Sequence, residues 1–330
     1  MATPDVSVVI PTRNRRALLA RALGSVLRQE GVAVEVFVVD EGSQDDTADF
    51  VRSLRDPRVT LISHETPKGV AVARNAGIAR ARAPWVAFLD DDDLWAPEKL
   101  ATQLEAAARA NASWVCVGAV VVDPALNVIS CTRLLPEHNV ERLLSYNCIP
   151  GGGSGPMVRT ALAREVGGFD VELSILADWD MWIRLFLFSA PAYVDRPLVA
   201  YLRHNSSMSH LNEGFSAELE RMVGKHSAAR HARGMEIERD RWLKWIAAMQ
   251  VRLGHRGEAV RIYLHLIRRY HDQKSIARAA LVGLSPSLVA RFWRWHLRRM
   301  VPVEWYDGAQ RWLAPIRSNA PMRGATASAA

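Results

Sequence analysis

The stretch Phe88-Leu89-Asp90-Asp91-Asp92-Asp93-Leu94-Trp95 sets four consecutive carboxylates after an apolar run, Trp85-Val86-Ala87-Phe88-Leu89. The run reads as a buried strand. Four adjacent like charges are costly unless a cation or another partner neutralises them. Hard divalent ions such as Mg²⁺ and Mn²⁺ take oxygen ligands, and Mg²⁺ usually joins one or two carboxylates to substrate phosphates. Ligands of an open α/β sheet bind outside the carboxyl ends of its strands. The octapeptide alone also admits a solvated acidic turn.

Working outward, strand and helix patterns alternate four times in about ninety residues. Val6 to Ile10 reads as a strand stopped by Pro11. Residues 15–29 follow at helical spacing, then a strand over 34–39. Ser43 is a candidate cap for a helix ending near Leu54, with Asp45 and Asp46 favouring its dipole. A strand over 59–63, a helix over 69–82 and the strand at 85–89 complete the series. Such alternation predicts α/β architecture with a doubly wound, mostly parallel sheet. Beyond it, 97–111 reads as a helix entered at Pro97. Residues 114–130 read as two strands around the turn 123–127, and 178–188 as a helix. Two short strands are expected at 193–194 and 198–202. The run Pro150-Gly151-Gly152-Gly153-Ser154-Gly155-Pro156 lacks both P-loop and GxGxxG spacing, and reads as a shaped loop that admits a substrate close to the backbone.

The chain has 330 residues and a net charge of +7. Residues 1–212 carry 21 Lys/Arg against 25 Asp/Glu, and 213–330 carry 21 against 10. The second part is helical in pattern, with amphipathic segments at 241–250 and 258–270, and its basic excess points to an anionic partner. Aromatics interleave with arginines over 285–300, a pattern suited to an anionic membrane surface. No nucleic-acid motif accompanies the charge, so nucleic acid is not an expected partner. The three cysteines suit a reducing compartment. Neither a signal peptide nor a transmembrane segment is expected, and residues from about Arg317 read as a disordered tail.

Four motifs then stand in order: Val6 to Asn14, Val38 to Thr47, Gly69 to Gly77 and Phe88 to Trp95. With Ser154-Gly155, Glu165 to Asp170 and Asp178 to Leu185, they closely resemble the family 2 glycosyltransferases over roughly residues 5–205. The resemblance implies a GT-A fold over 1–211, with a nucleotide-binding half at about 1–112 and an acceptor half at about 113–211. A basic helical region over 212–316 and the tail 317–330 follow.

It further implies inverting transfer from a nucleotide-diphosphate sugar to a hydroxyl of a glycan or lipid-linked acceptor, with Mn²⁺ or Mg²⁺. Asp92 and Asp90 match the metal-binding acids, with Asp93 and His204 as further candidates. Pro11, Thr12, Arg13, Asp40, Glu41, Arg74, Asp90 and Asp91 match positions that hold the nucleotide sugar. Glu41 stands where aspartate is usual. Read by itself, Arg74 equally suits a solvated helix arginine. Asp178 matches the general base, with Asp180 as the alternative, and Ala177 replaces the acid that usually precedes the base. A cytoplasmic enzyme, peripheral on the inner membrane face, is expected. The competing reading is a non-catalytic nucleotide-sugar binding or scaffold protein of the same fold.

Overall fold

A computed structural model describes residues 3–134, 140–204, 215–284 and 299–318. Among the described residues nine strands form one sheet: β1 (Val6–Thr12), β2 (Val34–Glu41), β3 (Val59–His64), β4 (Trp85–Phe88), β5 (Leu94–Trp95), β6 (Trp114–Val122), β7 (Val128–Thr132), β8 (Met157–Arg159) and β9 (Ala192–Leu202). The order is β3-β2-β1-β4-β8-β6-β9-β5, with β7 paired to β6. β3, β2, β1, β4, β6 and β9 run one way, while β5, β7 and β8 run against them. The sheet is therefore mostly parallel, as the alternation predicts. From β1 the chain winds outward through β2 and β3, then returns to place β4 on β1's other side. Such a reversal opens a crevice at the carboxyl ends of β1 and β4.

Both faces of the sheet are covered. Val6, Val8 and Ile10 enter one core, with α1 (Arg16–Leu27) and α4 (Lys99–Ala110). Val9, Phe37, Val39 and Phe88 enter the other, with α3 (Val70–Arg80), α5 (Thr160–Glu165), α6 (Ala177–Phe188) and α7 (Phe215–Lys225). Successive strand residues point to opposite faces, so burial on both sides yields unbroken apolar runs rather than alternation. The remaining helices are α2 (Thr47–Ser53), α8 (Ser227–His231), α9 (Arg239–Arg252), α10 (Arg256–Tyr270), α11 (Lys274–Leu284) and α12 (Val303–Ser318).

Three local expectations need correction. β1 does not stop at Pro11 but continues to Thr12, paired with β2. Val9 presents its carbonyl to the β4 side, where Leu89 N–H donates to it. Pro11 has the same orientation, and β4 has ended at Phe88, so the missing N–H costs no ladder bond. Ser43 does not cap a helix: it donates to Asp40, accepts from Asn14 N–H, and α2 begins at Thr47. The two short strands near 193–202 are one strand, β9, whose register with β6 shifts around Gly118.

Three of the C-terminal helices pack on the sheet's cores, while α10 and α11 form a small cluster with α9. α7 and α9 add Phe215, Trp242 and Trp245 to the second core, while α12 adds Trp305, Trp312 and Leu313 to the first. Arg317 and Ser318 end α12, so the expected tail begins as helix; residues 319–330 of it, and 285–298 of the expected membrane segment, lie outside the described residues. Trp305 occupies the space over Gly118, where a Cβ would overlap its indole. Gly118→Val is expected to cost about 1–3 kcal/mol of stability, and Trp305→Ala about 3–5 kcal/mol. A valine at 118 fills the space the indole leaves, so the double variant should lose less than the sum of the two. Strictly additive losses in denaturant melts would show that the two residues do not share that space.

Candidate active site

The four carboxylates emerge at the crevice and separate. Each draws a partner from a different part of the chain. Asp90 receives Arg74 Nη2 of α3 at 2.5 Å. Asp91 accepts Thr12 Oγ1 at 2.8 Å and Arg15 Nη1 at 3.0 Å. Asp92 accepts Arg15 Nη1 at 3.2 Å and lies 2.8 Å from His204 Nε2. His204 arrives there because β9 runs parallel to β6 and ends on the same sheet edge. Asp93 turns inward: Ser154 Oγ donates to it at 2.6 Å and Leu202 N–H at 3.0 Å. Burial, then the neighbouring Asp92, pushes Asp91 up to about 6 against Arg15 and Thr12. Burial likewise lifts Asp93 well above the usual carboxylate range.

The glycine loop forms the floor between this cluster and α6. A Cβ at Gly152 would stand 3.6 Å from Asp178 Oδ2, and one at Gly153 would stand 3.4 Å from Asp90 Oδ1 and overlap Arg74. Glycine suits both positions: Gly152 adopts a φ of 51°, in the left-handed region, and a Cβ at Gly153 would displace the Arg74 guanidinium. Ser154 ties the loop to the cluster, accepting from Asp90 N–H at 3.1 Å while donating to Asp93. Gln103 of α4 donates to Gly155 O at 3.1 Å and is itself held by the buried Lys99 at 2.8 Å. Arg74 is buried, stacked 5.0 Å from the Phe169 ring, and its Nε has no hydrogen-bond partner among the described residues.

Asp178 opens α6 and lines the cleft. Asn147 Nδ2 donates to it at 3.2 Å and Trp179 N–H at 2.7 Å. Burial raises its pKa to about 6, although the Arg74 charge opposes this. Asp180, the alternative base, is fully buried behind the cleft wall. It accepts from His226 and Arg184 at 2.8 Å each and pairs with Lys225 at 2.8 Å. Burial alone would raise its pKa; the His226 hydrogen bond and the two cations reverse this and hold it well below the usual range. Two residues apart on a helix, the carboxylates point about 200° apart, one to the cleft and one to the core.

Pro11, Thr12, Arg13, Glu41, Arg74, Asp90, Asp91, Asp92 and Asp178 share one cavity of about 1250 Å³. Asp40, Asp93 and Asp180 are buried behind its walls, where their side chains are engaged by protein groups. Glu41 does line the cavity, yet it also anchors the start of α3. It bonds His64 and accepts Lys68 N–H at 2.5 Å and Gly69 N–H at 2.6 Å. The longer arm of glutamate reaches that turn. Arg15, Asn147 and Ser154 escaped sequence reading, because their partners lie about thirty or more positions away. Among the described residues, no group of three or more His, Cys, Asp or Glu side chains is placed to hold a metal ion by itself.

The family model described as glycosyl transferase family 2 matches residues 7–164. The chain is 46% identical over 144 residues to the succinoglycan biosynthesis protein ExoO of Rhizobium meliloti, covering 42% of this chain and 39% of that one. It is 34% identical over 143 residues to the UDP-Glc:alpha-D-GlcNAc-diphosphoundecaprenol beta-1,3-glucosyltransferase WfgD of Escherichia coli, covering 43% and 56%. A PGL/p-HBAD biosynthesis glycosyltransferase of Mycobacterium bovis is 31% identical over 205 residues, covering 59% and 74%. The chain thus spans less than two thirds of ExoO and WfgD. Staphylococcus aureus TarS 1-349, solved with UDP-GlcNAc, superposes with a TM-score of 0.58 at 20% identity over 67% of this chain and 66% of that one, which shows a shared fold. With its motifs in family order on that fold, this chain belongs to glycosyl transferase family 2.

Proposed function

We propose that the chain is an inverting glycosyltransferase of polysaccharide or glycolipid synthesis. It moves a sugar from a nucleotide-diphosphate sugar to a hydroxyl of a glycan or lipid-linked acceptor. The observation that carries this reading is the pairing, across one glycine floor, of an acid cluster at the switch point with a carboxylate raised to about 6. A base with a pKa near the working pH combines proton affinity with ionisation. Asp178 takes the acceptor hydroxyl proton as that oxygen attacks the anomeric carbon, and the bond to the diphosphate breaks on the opposite face. Arg74 and Arg15 offer positive charge to the diphosphate.

Asp92 and Asp90 are the residues that would hold Mn²⁺ or Mg²⁺, with His204 beside Asp92. Carboxylate and imidazole donors suit such an ion, and Asp92 Oδ2 and His204 Nε2, hydrogen-bonded at 2.8 Å, stand near the roughly 3 Å spacing that two ligands of one ion would keep. When bound there, the ion would supply charge stabilisation to the leaving diphosphate. The scaffold reading draws on Glu41 and Ala177; Glu41 anchors the start of α3 while lining the cavity, and the Ala177 side chain is fully buried in apolar core. An acid there would be a buried charge rather than a cleft group, so its absence takes nothing from the site. No helix among the described residues is long and apolar enough to cross a membrane. Peripheral attachment to the cytoplasmic face through residues 285–300 belongs to the proposal, resting on their aromatic and basic pattern.

Nucleoside diphosphates are expected to stabilise the protein only with Mn²⁺ or Mg²⁺, by about 2.7 kcal/mol at a hundredfold excess over Kd, and Asp92→Asn should remove that dependence. Thermal melts in which no nucleotide stabilises the folded protein would sink the donor reading. Asp178→Asn should retain nucleotide stabilisation and lose transfer by about 10²–10⁴-fold, and wild-type rates should fall as pH drops through about 6. Asp178 binds its proton more tightly folded than unfolded. Its ionised form therefore costs stability above about pH 6, and the cost vanishes below the ordinary aspartate pKa. Asp178→Asn should accordingly stabilise the fold at pH 8 by roughly 1–2 kcal/mol, allowing for solvent screening, and not at pH 4. Asp180→Asn should destabilise at both values, by on the order of 3–5 kcal/mol at pH 8. Equal behaviour of the two variants would show that the acids do not divide these roles.

A further inference from the structure

The cavity of about 1250 Å³ exceeds the roughly 300–1,000 Å³ typical of a site for one small ligand. The proposed donor-side residues make up only part of its lining, which also includes Arg241, Trp242 and Trp245, all from α9. This helix lies beyond the part of the chain that the family model matches. Trp242 packs 4.9 Å from Trp179, the residue after Asp178, and Trp245 packs on Phe215 at 5.5 Å and meets Trp242 edge-on at 6.1 Å. Aromatic surface thus runs outward from beside the proposed base. Arg241 is preset: its guanidinium lies 4.0 Å from the Tyr146 ring centre and its Nε 3.0 Å from Glu238. Glu238 also holds Arg142 at 2.7 Å, so both arginines share one carboxylate.

We propose that α9 builds the acceptor subsite and that its occupant is a saccharide. Trp242 and Trp245 provide the apolar wall and Arg241 the polar one. This rests on the reading of Asp178 as the base. A pyranose presents an apolar C–H face within a rim of hydroxyls. Flat indoles match the face, and a planar guanidinium fork matches the rim. A wholly apolar chain would bring no hydrogen-bonding group to the polar positions that Arg241, Asn147 and Asp178 present to the cavity, whereas the hydroxyl rim of a sugar would. Asp178 lines the same cavity, and Trp242 packs on Trp179, its neighbour in the chain, so the proposed subsite adjoins the base.

Saturation-transfer NMR on the full chain, with the methyl glycosides of glucose, galactose, mannose and N-acetylglucosamine as probes, tests this. At least one glycoside should bind the wild type. Trp245→Ala and Arg241→Gln should each weaken it about tenfold or more, a loss of about 1.4 kcal/mol per factor of ten. Trp245→Phe, which keeps a ring, should recover most of the binding. Stabilisation by nucleoside diphosphate in the same samples should stay unchanged. Equal glycoside binding by the folded alanine and glutamine variants would overturn the subsite, as would its absence from the wild type. Glycoside binding that persists in protein no nucleotide stabilises would fault the donor reading and still support the subsite.

Discussion

Four adjacent carboxylates at the end of a buried strand cannot stand together without partners, and much of this molecule is arranged around their separation. Asp90 goes to α3 through Arg74, Asp91 and Asp92 to Arg15 at the start of α1, Asp92 also to His204 at the end of β9, and Asp93 to the glycine loop through Ser154. One charge cluster therefore sets the positions of α3, the first-strand loop, β9 and the cleft floor. Coupling of this kind makes removal of any one partner expensive, since the acid left behind is buried or part-buried. It also leaves the outer three acids facing the cleft, where a cation or a phosphate-bearing ligand would meet them.

α6 shows how one helix serves both stability and chemistry. It lies between the sheet and the C-terminal helices, so Trp179, Met181, Trp182, Ile183 and Leu185 are buried nearly all round it. Its first turn holds two acids with opposite fates. Asp180 gains a histidine, an arginine and a lysine, and its negative charge is stabilised. Asp178 gains two modest donors and meets the cleft, so its charge is disfavoured. A carboxylate kept uncomfortable in the folded protein is one that readily accepts a proton.

The C-terminal helices are part of this arrangement. α12 closes one face of the sheet through Trp305 over Gly118, and α7 and α9 close the other around Trp179 and Trp242. Seen in sequence they are a basic helical tail. In the fold, α9 forms a wall of the cavity that also holds the acid cluster.

The sequence by itself determined the alternating architecture, the mostly parallel sheet and an acid cluster at a strand end, which follow from apolar period, turn residues and the rule that open sheets bind at strand ends. The assignment of Arg74 and Asp178 to the same site rests on the resemblance of their motifs to a known family, not on any local property. The sequence also carried the two amphipathic segments that fold as α9 and α10. Only the tertiary structure decided which acids face the cleft and which serve the core, because that depends on partners distant in the chain. Asp93 meets Leu202 across 109 positions and Asp180 meets His226 across 46, and no local pattern announces either pairing. Tertiary contact likewise let β1 run through Pro11, since β4 ends before a missing N–H could matter. A local signal states what a residue prefers, and the environment that overrides the preference exists only once the chain has folded.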